Sequence, residues 1–182
     1  MDEHVKQYFD NLRSTDDKIR MDAFQNVMKL TDHKVVWVYE VWEELFEKLN
    51  SENSFQRSIG IIVLCNLAKS DVDDRLISTL DLILAHTKDE KFITSRQCIQ
   101  NVWKIAVASP RAREKVIDHL EKRFTECLPE KHYNLLRTDI IQSMKYIYDA
   151  IKDDLILGKM QVLIREEKED KYRKNYQAIM RS

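Results

Sequence analysis

Residues Thr15–Leu30 read "TDDKIRMDAFQNVMKL". Two aspartates precede Ile19 and Arg20, and Ala23, Val27 and Leu30 follow the arginine at offsets of 3, 7 and 10. Those offsets lie on one face of an α-helix, so the stretch predicts a capped helix with one apolar stripe. The pattern recurs. Arg57 is followed at the same offsets by Gly60, Leu64 and Leu67, Arg96 by Ile99, Trp103 and Ala106, and Arg137 by Ile140, Met144 and Ile147. The arginines are separated by 37, 39 and 41 residues. Upstream of each lies a second amphipathic segment, roughly 2–13, 34–50, 72–87 and 110–127. In the second of these, Val35, Val38, Trp42, Leu45 and Leu49 have the 3–4 spacing of a buried stripe. The paired segments are separated by "RSTDD", "NSENS", "HTKDE" and "LPEKH". Such residues accept hydrogen bonds from the free N–H groups that open a helix. Helix, short polar turn, helix, repeated about every 40 residues, predicts an α-solenoid.

The stretch 15–30 resembles the second-helix signature of the HEAT-repeat family, with Asp16, Asp17, Ile19, Arg20, Ala23, Val27 and Leu30 on the signature positions. The resemblance extends more weakly to 52–67, 89–106 and 131–147, where the third and fourth copies carry Ile99 and Ile140 in place of the small residue. It implies an all-α fold, a right-handed α-α superhelix of about four HEAT-like helix pairs plus a C-terminal capping helix. The expected repeats are 1–31, 32–69, 70–108 and 109–152, with 153–182 as the cap and a charged tail. In that tail, Tyr172 and Tyr176 share one face, giving a docking helix as the alternative to a cap. Small residues such as Ala23 and Gly60 let two helices approach closely. Arg20, Arg57, Arg96 and Arg137 form an expected structural ladder, each reaching acidic or carbonyl groups in an adjacent turn.

Composition agrees with helices. The 182 residues include 2 glycines and 2 prolines, where average usage gives roughly 13 and roughly 9. Folds that need glycine for tight turns or phosphate loops are thereby disfavoured. The net charge of −1, from 30 basic and 31 acidic residues, is no footprint for nucleic acid or an anionic membrane. No apolar run approaches the roughly 20 residues of a membrane span, and "MDEHVKQYFD" lacks the basic and apolar regions of a signal peptide. Cys65, Cys98 and Cys127, odd in number and widely spaced, read as reduced thiols of a cytoplasmic protein.

No motif supplies chemistry. C-x-x-C and H-E-x-x-H are absent, Cys127 and His132 sit five apart across a turn without further ligands, and two isolated glycines make no P-loop, dinucleotide fingerprint or nucleophile elbow. His4, His33, His86, His119 and His132 read as surface residues. Neither a cofactor nor a metal is expected.

The expected function is a non-enzymatic protein-interaction or scaffold module that binds a protein partner along the ridge of second helices. Glu40, Glu43, Glu44 and Glu47, at offsets 0, 3, 4 and 7, place four carboxylates on one expected helix stripe. Trp37, off the core stripe, would line a groove with Tyr39, whereas Trp42 and Trp103 belong to the core. Gln100 and Asn101, with Gln25, Asn26, Asn66 and Gln142, would face the groove. An aromatic–carboxylate surface suits a cation, and in this respect the chain resembles the helical-repeat DNA glycosylases that remove alkylated bases. "SENSFQRSIGII" resembles one of that family's repeats, with Arg57 on a DNA-contacting position, although no Trp-x-x-x-Asp pair occurs. That enzyme is one alternative, and a regulatory subunit stable mainly in a complex is the other.

Overall fold

The computed structural model describes all 182 residues, as helices joined by short turns with no strand. They form two compact units, Met1–Cys98 and Ile99–Ser182. The division falls inside the third expected repeat rather than at a repeat boundary.

The first unit contains α1 (Glu3–Asn11), α2 (Asp17–Leu30), α3 (Trp42–Leu49), α4 (Ser54–Leu67), α5 (Arg75–Ala85) and most of α6 (Phe92–Asn101). Helix α1 packs on α2 and α3 on α4, and between the pairs α2 packs on α4 and α3 on α5. The second helices start as the sequence predicts. Asp16 accepts hydrogen bonds from the Lys18 and Ile19 amides, and Asn53 accepts one from Phe55. Ala23, Val27, Leu64 and Leu67 are buried on the expected stripe. Gly60 marks a close approach of α3 and α4: a Cβ there would lie 3.0 Å from the Leu45 carbonyl oxygen and 3.0 Å from the Lys48 Cβ.

The expected helix over 34–50 begins later. Only a 3₁₀ turn, Val38–Glu40, precedes α3 at Trp42. Val35, Val36, Val38 and Val41 crowd this stretch with β-branched side chains of low helix propensity. The Val35 amide instead bonds the Ser70 hydroxyl at 3.0 Å. Val38, Trp42, Leu45 and Leu49 are buried as predicted, while Val35 is half-buried.

The second unit contains α7 (Trp103–Ala108), α8 (Pro110–Glu126), α9 (Tyr133–Ile151), α10 (Asp154–Glu166) and α11 (Asp170–Arg181). Ser109 caps α8 through the Ala112 amide, with Pro110 in the first turn where its missing N–H costs nothing. Helix α9 packs against α7, α8, α10 and α11, which makes it the centre of this unit. Lys152 ends α9 in the left-handed region, at φ 58°, and Asp153 then caps α10. Gly158 sits within α10 without interrupting it.

The charged C-terminal stretch is the ordered helix α11. Tyr176 is fully buried, edge-on to Phe124 at 6.0 Å, and Tyr172 packs edge-on to Tyr133 at 6.0 Å. The two tyrosines share a face as predicted, but that face points into the unit and presents nothing for docking. The sequence carries a cue for this helix. "EDKYR" (169–173) repeats the form of "DDKIR" (16–20), 153 residues further on. Arg173 Nη1 donates to the Glu167 carbonyl at 3.1 Å, as Arg20 Nη1 does to Ser14 at 2.8 Å and Arg57 Nη1 to Ser51 at 2.8 Å. Each acceptor lies six residues before its arginine. The helix pair α10–α11 thus shares the turn geometry of the pairs α1–α2 and α3–α4.

Candidate interaction surfaces

The four expected ladder arginines do different things. Arg57 is buried and bidentate on Asp89, which lies in the turn between α5 and α6, with Nε–Oδ2 2.7 Å and Nη2–Oδ1 2.8 Å. Its Nη1 also holds the Ser51 and Glu52 carbonyls of its own turn. This pairing raises the Arg57 pKa, chiefly through the hydrogen bond to Asp89. Burial alone would raise the Asp89 carboxyl, but the Arg57 bonds, the Lys91 amide and His86 outweigh it and hold the pKa at about 2. Arg57 is therefore engaged within the protein and does not present itself to a DNA phosphate. Arg137, also buried, reaches Glu167 at 2.8 Å and the Phe124 carbonyl at 3.0 Å, and its guanidinium lies 4.2 Å from the Phe124 ring centroid. Arg20 turns to Asp17 of its own helix, and Arg96 lies over the Phe92 ring at 5.9 Å.

His86 departs from its predicted place on the surface. Its side chain is 12% exposed, and Nδ1 lies 3.0 Å from Asp89 Oδ2. The histidine ends α5 where the chain turns toward Asp89, so an apparently polar context closes over it. All three cysteines are buried, and none is joined in a disulfide. Cys98 Sγ bonds the Ile83 carbonyl at 3.2 Å and Cys127 Sγ that of Phe124 at 3.3 Å; burial pushes both thiol pKa values up.

The expected acidic stripe does not form as one row. Glu40 ends the 3₁₀ turn and pairs with the Met1 amine at 2.8 Å. Glu44 on α3 accepts from Arg13 at 3.1 Å and faces Lys48 at 3.5 Å. Only Glu43 and Glu47 remain as exposed carboxylates of α3. Burial lowers the pKa of Lys48, whose Nζ donates to Gln56 at 2.7 Å. Trp37 packs edge-on to Phe9 at 5.6 Å, and Tyr39 packs on Trp42 while donating to Asp71 at 2.9 Å. The predicted Trp37–Tyr39 groove is thus absent, because both rings close over α1, α3 and the turn before α5. Asn66 is buried and donates to the Thr31 hydroxyl at 2.7 Å, so it faces no groove. Asn26 holds Asp22 on its own helix, and Gln25 and Gln142 occur on α2 and α9. In the second unit Gln100 donates to Asp139 at 2.9 Å and Asn101 accepts from Lys104 at 2.8 Å. Trp103 is half-buried and packs on the exposed Tyr146 at 5.0 Å rather than entering the core. The helix breaks at Val102, between α6 and α7, and Val102, Ile105 and Ala106 take the buried face instead.

Two clefts open on the first unit. The larger encloses about 590 Å³ and crosses the N-terminal halves of α2, α4 and α6. Phe24, Ile59, Ile62 and Phe92 are among its lining, and Met21, Phe55 and Ile93 stand at 56%, 66% and 62% exposure. Asp17, Arg20, Glu90 and Lys91 also line it. One exposed apolar side chain from each of three successive second helices, on one cleft, is a contiguous apolar surface rather than scattered exposure. The reading from sequence chose the second-helix ridge but missed these residues. Each falls off its core stripe, on the outer part of its helix, where a lone apolar residue is unremarkable. The smaller cleft, about 440 Å³, is polar and lies at the turns before α2 and α4; Arg13, Ser14, Arg20, Glu44, Lys48 and Ser51 are among its lining residues.

No group of three or more His, Cys, Asp or Glu side chains is placed to hold a metal ion, and no helix is long and apolar enough to cross a membrane. No family model and no curated protein matches the chain. Among solved structures, the crystal structure of an engineered protein from the Northeast Structural Genomics Consortium is similar, with a TM-score of 0.60. The match covers 98% of this chain and 78% of the other at 15% identity, which shows a shared helical fold and nothing of function.

Proposed function

We propose that the chain is a HEAT-like α-solenoid, right-handed and built of five helix pairs rather than four and a cap, and that it is a non-enzymatic module binding a protein partner. The recurring arginine-to-carbonyl bond of Arg20, Arg57 and Arg173 supports the repeat reading, because it marks the same turn in three places. The observation that carries the function is the apolar cleft across α2, α4 and α6, with Met21, Phe55 and Ile93 exposed on it. Exposed apolar side chains are a liability in water, and their clustering along equivalent helices is what a protein-binding surface requires. Buried cysteines without disulfides fit a reducing compartment, the cytoplasm in this reading.

The test is selection of peptides from a displayed library on the full chain, with Phe55→Glu and Ile93→Glu as counter-targets. Peptides that bind the parent and lose at least tenfold in affinity on both variants place binding in the cleft. Binders that ignore both variants remove the cleft from the function. Salt-sensitive binding of duplex DNA by the parent would replace this reading with the glycosylase-like one.

A further inference from the structure

The protein contains its own template for a binding site. In the turn before α6, Asp89 presents its carboxylate to Arg57 of the preceding helix pair. Between α10 and α11, Glu167 does the same for Arg137. Both acids lie three residues before the first residue of the helix that follows, α6 or α11, as Ser51 lies before α4; the carbonyls of Glu167 and Ser51 also accept from the arginine six residues on, Arg173 and Arg57. By the same geometry, the residue that faces Arg20 from the next turn is Ser51, which has no carboxylate. Where Asp89 and Glu167 fill this place, the polar cleft of about 440 Å³ stands open, with Arg20 and Ser51 both lining it.

We propose that this cleft is a carboxylate-binding site in which Arg20 grips a ligand carboxylate as Arg57 grips Asp89. Arg20 is set up for it. Nη1 is anchored on the Ser14 carbonyl at 2.8 Å, as the Arg57 Nη1 is on Ser51, and that bond fixes the guanidinium plane. Nη2 is held by Asp17, whose side chain is 90% exposed and therefore readily exchanged for a better-placed acid. Nε and Nη2 together are the pair of donors with which Arg57 holds Asp89, and a planar carboxylate matches that fork. The cleft is lined by three cations, Arg13, Arg20 and Lys48, and two carboxylates, Glu44 and Glu47, with Glu44 already engaged by Arg13 and Lys48; exchange of Asp17 away from Arg20 therefore leaves a positive excess for the incoming carboxylate. Arg20 lines the apolar cleft as well. A bound carboxylate would thus sit beside apolar surface, as the acidic side chain or the C-terminus of a polypeptide does.

The experiment is an NMR titration of the full chain at constant ionic strength, with chloride as the balancing anion. The readouts are the Arg20 Nε–Hε signal and the backbone amides of Ser51–Asn53. The probes are acetyl-aspartyl amide, with a side-chain carboxylate, and acetyl-alanine, with a terminal one. The Nε–Hε signal of Arg57, already on a carboxylate, is the internal reference. Saturable movement of the Arg20 signal toward the Arg57 position is expected, and the tighter probe identifies the carboxylate source. Ser51→Asp supplies the missing acid from within, so Arg20 should resemble Arg57 without ligand and the titration should disappear. Arg20→Gln should abolish the response of the Ser51–Asn53 amides and serves as the second variant if Ser51→Asp does not fold. An Arg20 signal indifferent to both probes, an equal response to chloride alone, or a response of Ser51–Asn53 undiminished in Arg20→Gln would overturn the site.

Discussion

Two glycines show how much one methyl group depends on its surroundings. Gly60 lies where α3 and α4 touch, and an added Cβ would press on the Leu45 carbonyl and the Lys48 side chain, both at 3.0 Å. Alanine gains about 1 kcal/mol of helix propensity over glycine, but forcing two packed helices apart costs about 1–3 kcal/mol. Gly60→Ala should lower the thermal midpoint. Gly158 has nothing within 4 Å of the same position, so Gly158→Ala should raise it, by about 1 kcal/mol in chemical denaturation. The reverse order of the two midpoints would show that α3 and α4 do not approach as described. Asp89 adds a dependence on pH. Its folded pKa of about 2 lies below the ordinary 3.8, so it contributes stability that is complete above about pH 4 and lost as the pH falls toward 2. Asp89→Asn should flatten that part of the stability profile, measured by urea denaturation between pH 2 and about 5.

Among the elements, α11 is the one the sequence disguises. Its dense charge reads as a solvated tail because the apolar positions of a short helix are few, and Tyr176 stands where Thr15–Leu30 has Ala23. Position and burial are settled by what lies opposite: the rings of Phe124 and Tyr133 pack edge-on against Tyr176 and Tyr172, whereas at the matching place on α2 the buried side chain is the methyl group of Ala23. The Arg137–Glu167 pair fastens the start of this helix to α9, and both side chains are almost wholly buried. Glu167→Gln strands a buried guanidinium and should cost about 3–5 kcal/mol. The double variant Arg137→Met with Glu167→Gln should recover a large part of that loss. A loss in the double variant equal to the sum of the losses in Arg137→Met and Glu167→Gln, by denaturant titration, would mean the pair is not coupled. Helix α3 teaches the converse. Its apolar spacing is visible in the sequence, but the spacing continues back through residues 35–41, where four valines and a bond from Val35 to Ser70 hold the chain out of the helix. Glu40 therefore leaves the acidic row that its offset promised.

For the molecule as a whole, closure of the cores can be followed through the cysteines. Cys65, Cys98 and Cys127 are all buried, so the native protein should resist a thiol reagent and release three thiols only on unfolding in guanidinium. Fast labelling of Cys65 or Cys98 in the native state would show that the first unit opens locally. Much of the architecture was legible beforehand. Arginine-anchored stripes at offsets of 3, 7 and 10, scarce glycine and capping residues in the turns depend only on chain-local chemistry, and they determined an all-helical protein and the position of most second helices. What a side chain touches depends on how the turns and helix pairs pack, as when Arg57 meets Asp89 and Tyr39 meets Asp71, each 32 residues away. The tertiary structure alone therefore decided that Arg57 belongs to Asp89, that Trp37 and Tyr39 are packed rather than presented, and that His86 is enclosed. It also decided that Met21, Phe55 and Ile93, unremarkable one at a time, open onto one apolar cleft. Burial and proximity are properties of the packed chain, and a helix period fixes only which residues share a face.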